Sequence, residues 1–309
     1  MATKSKLIIG TRGSPLARWQ ADHIAERLRA AHPGLTVEFS IIVTEGDRFQ
    51  AGPLVEVGGK AVWVKEIEVA LATSQVDLAV HSLKDVPVEL AAGLELVAIP
   101  RRADPRDALV TRTGGALASL LPGARVGTSS LRRVCQLLAL RPDLRVEVLR
   151  GNVDTRLRKV AEGVVDAALL ACAGLDRLGH GARIAERMDI DQMVPAIGQG
   201  ALALEARADD QATRALVAVL ADPDAAATVA AERALLAGLG GSCRTPIGGH
   251  ATISGDRLVL RGLVGRPDGT EILRDQIEGP ARDAATLGRT LATRLREKGA
   301  DRILAASGD

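Results

Sequence analysis

Tyrosine is absent from the 309-residue chain, and Trp19, Trp63, Phe39 and Phe49 are its only aromatic residues. Its cores must therefore be filled by leucine, valine, isoleucine and alanine. So few rings leave no stacking platform for unpaired bases, which argues against a nucleic-acid partner. Cysteine is almost as scarce: Cys135, Cys172 and Cys243 are odd in number, far apart and without a C-x-x-C pair. That pattern suits neither a disulfide framework nor a zinc site. The five histidines form no H-E-x-x-H or comparable spacing, so no metal is expected. No apolar run reaches membrane-spanning length, and Met1 to Lys6 lack the apolar stretch of a signal peptide. A cytoplasmic protein with no membrane partner is the expectation.

With 47% hydrophobic and 25% charged residues the composition is ordinary for a globular protein, and the length suits two or three domains. The formal net charge is only +2, yet residues 125–159 hold nine basic residues against three acids, Asp143, Glu147 and Asp154. Positive charge concentrated in a near-neutral chain points to an anionic ligand there, met through carboxylates, phosphates or nucleic acid.

Lys6 to Gly10 reads as a buried strand, and Ser14-Pro15 as the cap and first residue of a helix to about Ala31. Residues 37–43 alternate as a strand, 64–74 read as a helix, and 76–80 form an apolar strand closing at His81-Ser82-Leu83-Lys84-Asp85. This β-α-β-α-β order predicts a parallel sheet with helices on both faces and ligands outside the carboxyl ends of the strands. A second series repeats it, with strands near 125–127, 145–149 and 167–171 and helices from Leu131 and over 154–162. Residues 195–200 read as a return crossover, followed by a strand over 201–206 and a helix to about Leu220. A helix from Asp222, strands near Ala251, 258–264 and 271–277, and a helix over 281–298 suggest a small α+β domain. The expected fold is α/β: two β/α lobes with a double crossover enclosing a cleft, plus a small α+β C-terminal domain. The expected domains are 1–100 with 200–220, 101–199, and 221–309.

Cys243 stands in Leu239-Gly-Gly-Ser-Cys-Arg-Thr-Pro-Ile-Gly-Gly249. The glycine pairs allow close approach by a ligand and Arg244 favours the thiolate; a small buried thiol in a turn is the alternative. Asp85 follows a strand end, where Pro87 forces an extended turn. It suits a general acid/base or the stabiliser of a developing cation, with Ser82 and Lys84 beside it for anionic groups. An exposed Lys-Asp pair is the alternative there. Gly127-Thr-Ser-Ser-Leu-Arg-Arg133, Arg150-Gly-Asn152 with Arg156, and Arg177 cluster at strand-to-helix junctions. Helix N–H groups and forked guanidiniums make carboxylate or phosphate sites, although a solvated charged face fits as well. Arg12 and Ser14 follow the first strand. Val57-Gly-Gly-Lys60 to Trp63 lacks the P-loop pattern and reads as a flexible lid presenting Lys60 and Trp63, or as a plain loop with Trp63 in the core.

Taken in order, Thr11-Arg-Gly-Ser-Pro-Leu-Ala17, Val57-Gly-Gly-Lys60, His81-Ser-Leu-Lys-Asp-Val-Pro87, Gly127-Thr-Ser-Ser-Leu-Arg-Arg133, Leu149-Arg-Gly-Asn152, Gly198-Gln-Gly200 and Gly241-Ser-Cys-Arg-Thr-Pro-Ile-Gly248 resemble the porphobilinogen deaminase family across nearly the whole chain. The resemblance implies lobes built like a periplasmic binding protein and a third domain presenting the cysteine. It implies a monomeric transferase of tetrapyrrole and heme biosynthesis, whose partners are porphobilinogen and the growing polypyrrole chain. A dipyrromethane cofactor is implied on Cys243, joined by a thioether and serving as a primer that is never released. Porphobilinogen then loses ammonia to give an azafulvene, which the free α-carbon of the terminal pyrrole attacks. Four additions and hydrolysis release hydroxymethylbilane.

By the family pattern Asp85 is the catalytic carboxylate. Ser82, Lys84, Asp85, Thr128, Ser130, Arg132, Arg133 and Arg156 fall to the cofactor. Arg12, Ser14, Lys60, Trp63, Arg150, Asn152, Arg177 and Gln199 fall to substrate and growing chain. Two departures stand out: Trp63 replaces a phenylalanine frequent in the family, and Glu56 stands where some relatives carry lysine. Two other classes compete. A two-lobed solute-binding protein has no use for Cys243, and an arginine-rich nucleic-acid or phosphate binder has little need of Asp85.

Overall fold

The structure, a computed structural model, describes residues 4–48, 63–242 and 245–306. In chain order its elements are β1 (Lys6–Thr11), α1 (Pro15–Ala31), β2 (Thr36–Ile41), α2 (Glu45–Arg48), α3 (Lys65–Ala72), β3 (Leu78–Ser82), β4 (Leu94–Ala98), β5 (Asp107–Thr111), β6 (Arg125–Gly127), α4 (Leu131–Leu140), β7 (Arg145–Glu147), α5 (Val153–Ala161), β8 (Ala167–Ala171), α6 (Cys172–Arg177), β9 (Glu186–Arg187), β10 (Leu202–Arg207), α7 (Gln211–Val217), α8 (Pro223–Gly238), β11 (Ile247–Ser254), β12 (Arg257–Gly265), β13 (Ile272–Pro280), α9 (Ala284–Glu297) and α10 (Ala300–Ala306). They divide into two units, Met1–Arg102 with Ala201–Ala226, and Ala103–Gly200 with Ala227–Asp309.

In the first unit Ser14 caps α1 by accepting from the Ala17 N–H, and Pro15 supplies a preset φ at the first helical turn. Side chains alternate along β1, so Leu7 and Ile9 meet Ile24, Ala25 and Leu28 of α1, while Ile8 meets Ile67, Ala70 and Leu71 of α3. Each fully buried leucine or isoleucine contributes about 1.5–3 kcal/mol, which secures both faces of the sheet. The strand order is β2-β1-β3-β10-β4. β1 runs parallel to β2 and β3, and β10 runs antiparallel to β3 and β4.

The lobe formed by residues 103–200 repeats that plan as β7-β6-β8-β5-β9. Here β6 is parallel to β7 and β8, and β5 antiparallel to β8 and β9. α4 covers one face through Leu137 and α5 the other through Leu157 and Val160. The strands expected to run parallel do so, and each sheet is completed by two further strands in antiparallel pairing, β10 with β4 and β5 with β9. In each lobe the antiparallel fourth strand, β5 or β10, is the first strand made after a crossing, and it enters in the opposite sense. β4, β5, β9 and α6 did not stand out in the sequence.

The C-terminal strands form an antiparallel meander, β11-β12-β13, covered by Leu235 of α8, Leu291 and Leu295 of α9 and Ile303 of α10. A Cβ at Gly288 would lie 2.2 Å from the Ala231 carbonyl oxygen, so α8 and α9 meet backbone to backbone only because glycine stands there. Gly299, at φ +102°, separates α9 from an unpredicted α10. Among the described residues no helix is long and apolar enough to cross a membrane.

Candidate functional site

The parallel strands of the first unit end at one sheet edge. Arg12 and Ser14 follow β1, and a 3-10 turn, Leu83–Asp85, follows β3. Buried Leu83 fixes that turn, and its N–H donates to the Ala201 carbonyl at 3.1 Å. The edge encloses a hollow of about 440 Å³, part of it open to solvent, lined among others by Arg12, Ser14, Gln20, Trp63, His81, Ser82 and Asp85. The half-buried Asp85 carboxylate has no ion-pair partner among the described residues. Lys84 is half-buried in the same turn.

Arg12 is held from two sides. Its Nε donates to Asp47 Oδ2 at 3.1 Å, its Nη2 donates to Oδ1, and its guanidinium carbon lies 4.2 Å from the Trp63 ring centroid. Burial works to raise the Asp47 pKa, but Arg12 and the Thr44 hydroxyl, 2.8 Å away, outweigh it and hold the carboxyl below its usual range. Trp63 in turn rests on Gly46, where a Cβ would come within 2.2 Å of the ring. Ser82 Oγ accepts from Gln20 Nε2 at 2.9 Å, and Gln20 is buried. Ser14 Oγ accepts the helix-cap bond, which leaves its O–H as a donor. Lys60 lies outside the described residues.

In the second unit β6, β7 and β8 also end at a common edge. Thr128 is buried and accepts from the Ser130 N–H at 3.3 Å, while the Ser130 side chain makes no cap bond to α4. Arg132 and Arg133 are buried and grip Asp107 at the start of β5. Arg132 donates from Nη1 to Oδ2 at 2.7 Å and from Nη2 to Oδ1 at 3.1 Å. Arg133 donates to Oδ1 from Nε at 2.9 Å and Nη2 at 2.7 Å. Gln199 Nε2 adds a bond to the same oxygen at 2.9 Å. Burial alone would raise the Asp107 pKa; the two guanidiniums more than reverse it and hold the carboxyl far below its usual range. Two positive charges against one negative leave a net positive site, in which buried Arg132 Nε has no hydrogen-bond partner among the described residues.

Asn152 caps α5 by accepting from the Thr155 N–H at 2.8 Å, leaving its amide N–H groups as donors. Gly151, at φ +109°, makes the turn before it, and its carbonyl accepts from Arg156 Nε at 2.9 Å. Arg150 is half-buried at the same junction. Arg177, at the end of α6, donates to the Gly200 carbonyl at 2.7 Å, and burial pulls its pKa down to about 10. The structure thus gathers Arg12, Ser14, Trp63, Ser82 and Asp85 at the first edge, and Arg132, Arg133 and Gln199 around Asp107 in the second unit.

Of the three cysteines, Cys135 and Cys172 are fully buried, and burial pushes their thiols up to about 11 and about 12. Neither is a nucleophile at neutral pH. Cys243 and Arg244 lie outside the described residues, but the chain is tied on both sides of them. Gly241 N–H donates to the Leu236 carbonyl at 3.1 Å, and Thr245 Oγ1 donates to the Ser242 carbonyl at 2.7 Å. A Cβ at Gly241 would lie 2.4 Å from Ile247 Cδ1 and 2.7 Å from Leu236 Cδ1, so a larger residue there would have to push those side-chain ends aside.

Sequence reasoning missed Gln20, Asp107, His81 and Glu205. Asp107 had one usable signal, a carboxylate heading an apolar run, Asp107-Ala-Leu-Val, in a chain where arginines abound. Glu205 gave the same kind of signal within Leu202-Ala-Leu-Glu-Ala.

Two family models match the chain: "Porphobilinogen deaminase, dipyromethane cofactor binding domain" over residues 7–215, and "Porphobilinogen deaminase, C-terminal domain" over 226–297. Among curated proteins the chain is 51% identical to the porphobilinogen deaminase of Syntrophotalea carbinolica, covering 98% of this chain and 96% of the relative. It is 50% identical to that of Thiobacillus denitrificans (97% and 98% covered) and 52% identical to that of Roseiflexus castenholzii (98% and 99% covered). Among solved structures it is similar to the methionine binding protein MetQ, with a TM-score of 0.46 and 13% identity over 70% of this chain and 90% of that one.

Proposed function

This chain belongs to the porphobilinogen deaminase family, and we propose on that footing that it is a transferase joining four porphobilinogens head to tail on a dipyrromethane carried by Cys243. Ammonia leaves at each step, and hydrolysis finally releases hydroxymethylbilane. The observation that carries this reading is the Asp85 carboxylate, without an ion-pair partner among the described residues and opening on a hollow edged by the hydroxyls of Ser14 and Ser82.

The residues present fit a cofactor with pyrrole N–H groups and pendant carboxylates. Asp85 offers the acceptor that N–H groups need. The net positive site at Asp107, where Arg132 Nε has no hydrogen-bond partner among the described residues, offers what a carboxylate needs. Gly241, two residues before Cys243, fits its backbone against Ile247 and Leu236. When bound, the cofactor supplies a free pyrrole α-carbon as nucleophile, which makes Cys243 an anchor and not a turnover nucleophile.

Asp85 accepts a hydrogen bond from the porphobilinogen ring N–H and stabilises the positive charge that develops there as ammonia departs. It is also the group placed to handle the proton lost when the ring becomes aromatic again. Arg132, Arg133 and Arg156 hold cofactor carboxylates, with Ser82, Lys84, Thr128 and Ser130 as further donors. Arg12, Ser14, Arg150, Asn152, Arg177, Gln199, Lys60 and Trp63 serve the substrate and growing chain, each addition of which brings two more carboxylates. Arg12, braced by Asp47 and Trp63, presents its charge in a fixed direction. The same reading makes the protein a cytoplasmic monomer of three domains, 1–100 with 200–220, 101–199 and 221–309. The apolar core beneath the C-terminal meander is drawn mostly from residues 227–304, which supports that division, while Ile197 enters it and Cys135 and Val194 pack on Leu263.

The test is the intact mass of the purified protein under denaturing conditions, followed by peptide mapping. A mass excess of two porphobilinogens less two ammonias on the Cys243 peptide is expected. A chain that is unmodified, and stays so after incubation with porphobilinogen, overturns the reading.

A further inference from the structure

One buried carboxylate joins the C-terminal meander to the crossover that braces the arginine site. Glu232 of α8 is wholly buried. Its Oε2 accepts from the Gly198 N–H at 2.7 Å, and its Oε1 accepts from the Ala251 N–H of β11 at 2.8 Å. Backbone contacts reinforce the same join. The Gly249 N–H donates to the Pro195 carbonyl at 2.9 Å, and a Cβ at Gly249 would lie 2.4 Å from Ile197 Cδ1. Residues 195–198 therefore lie close along the start of β11, and Glu232 fastens them from the helix side.

The segment that Glu232 holds is a turn with little rigidity of its own. Gly198 and Gly200, at φ +69° and +88°, stand in the left-handed region on either side of Gln199. The Gln199 N–H closes the turn on the Ala196 carbonyl at 2.9 Å, and Glu232 anchors the residue before it. From there Gln199 Nε2 donates to the Pro105 carbonyl at 2.7 Å and to Asp107 Oδ1 at 2.9 Å. That oxygen also accepts from Arg132 and Arg133. Arg132 Nη1 donates in addition to the carbonyl of Val194, at the start of the same crossover, at 2.7 Å. The placing of the guanidiniums thus depends on where the crossover sits, and Glu232 ties the crossover to α8 and β11. Those two elements are the stems of the Cys243 loop, since α8 ends at Gly238 and β11 begins at Ile247.

We propose that Glu232 is a positioning residue: through the Gly198–Gly200 turn it sets Gln199, and with it the Asp107–Arg132–Arg133 site, in register with both stems of the Cys243 loop. The inference deepens the proposed function and rests on that site receiving the carboxylates of a primer built at Cys243. Two buried backbone N–H groups need two acceptor oxygens. Glutamine at this position supplies one and turns its NH2 toward the other N–H, so E232Q releases either the turn or β11.

The test uses full-length wild type, E232Q, Q199M and the double variant, made without porphobilinogen and shown by their melts to be folded. Each is incubated with porphobilinogen, and the mass gained on the Cys243 peptide is followed with time. E186Q is the control, because Glu186 accepts from the Leu117 N–H at 2.7 Å elsewhere in the same unit. E232Q and Q199M each slow the gain about tenfold or more. The double variant is slower than the slower single by no more than about threefold, because both changes break one path. E186Q lowers the melting temperature yet loads within about twofold of the wild type. Before any reaction, NMR shows the Gln199 side-chain amide signals shifted in E232Q and unmoved in E186Q. An E232Q chain that loads at the wild-type rate, or single effects that multiply in the double variant, overturns the proposal. Should E232Q fail to fold, wild-type loading by Q199M overturns it equally, since Glu232 would have nothing to act through. A wild-type chain that gains no mass sinks the functional reading instead, and the amide signals then decide whether Glu232 positions Gln199.

Discussion

Replacing Asp107 by asparagine leaves two buried guanidiniums facing a neutral amide. In the native protein one wholly buried carboxylate accepts from Arg132, Arg133 and Gln199. Removing one member of a buried ion pair costs about 3–5 kcal/mol, because the desolvated partner is left uncompensated. The substituted amide keeps one acceptor oxygen, which places D107N toward the lower end of that range. At about 2–4 °C per kcal/mol for units of this size, melting should fall by about 6–15 °C. The pH dependence gives a sharper check. The folded-state pKa of Asp107 lies well below its unfolded value of about 3.9. The carboxylate's contribution is therefore fully present above pH 4 and declines as pH falls from there toward the folded pKa. The gap between wild type and D107N should be constant from pH 8 to 5 and close by about 1.4 kcal/mol per pH unit below about pH 4. Calorimetric melts of both proteins across that range provide the assay. A gap under about 1 kcal/mol at pH 7, or one that persists unchanged at pH 3, refutes the reasoning.

Three further outcomes are expected. Asp85→Asn should fold and retain its cofactor mass, yet turn over porphobilinogen about 10²–10⁴-fold more slowly; turnover at the wild-type rate removes Asp85 from the chemistry. A thiol reagent applied to native protein at pH 8 should leave Cys135 and Cys172 unlabelled on peptide mapping, since burial holds both thiols protonated until about pH 11 or 12. Gly46→Ala should displace Trp63 from its place under Arg12, because the new Cβ would lie 2.2 Å from the ring. In a Trp19→Phe background that displacement is read as a shift in Trp63 fluorescence, with a stability loss of about 1–3 kcal/mol; an unchanged spectrum contradicts it.

Elements with a strong local signature were legible in the sequence. Ser14-Pro15 marked the start of α1, and Ala167 to Ala171 was read at the observed bounds of β8. β5 escaped because all five of its residues are buried, so no alternation announces it and a charged residue heads it. β9 is two residues long, too short for any periodicity. At the site, the order of motifs pointed to Asp85 and to the arginines, but their partners were hidden by distance along the chain. Arg132 lies 25 residues from Asp107, and Gln199 lies 92 residues from it. Only the crossover that inserts β5 beside β8 brings them together. Lys60 and Cys243 were singled out by their glycine-rich surroundings, and both lie outside the described residues.

The repeated strand order explains why the two edges carry opposite chemistry. Asp107 begins β5 and stands opposite Ala171, the last residue of β8. In the first unit the matching position is Leu202, which begins β10 and stands opposite Ser82, the last residue of β3. A buried carboxylate at this position draws two guanidiniums beneath the edge and leaves that site net positive. A leucine at the same position draws no guanidinium beneath that edge, and Asp85, three residues beyond Ser82, has no ion-pair partner among the described residues. One strand plan, differing at one equivalent position, thus yields a site suited to carboxylates in one lobe and a site suited to N–H groups and developing cations in the other.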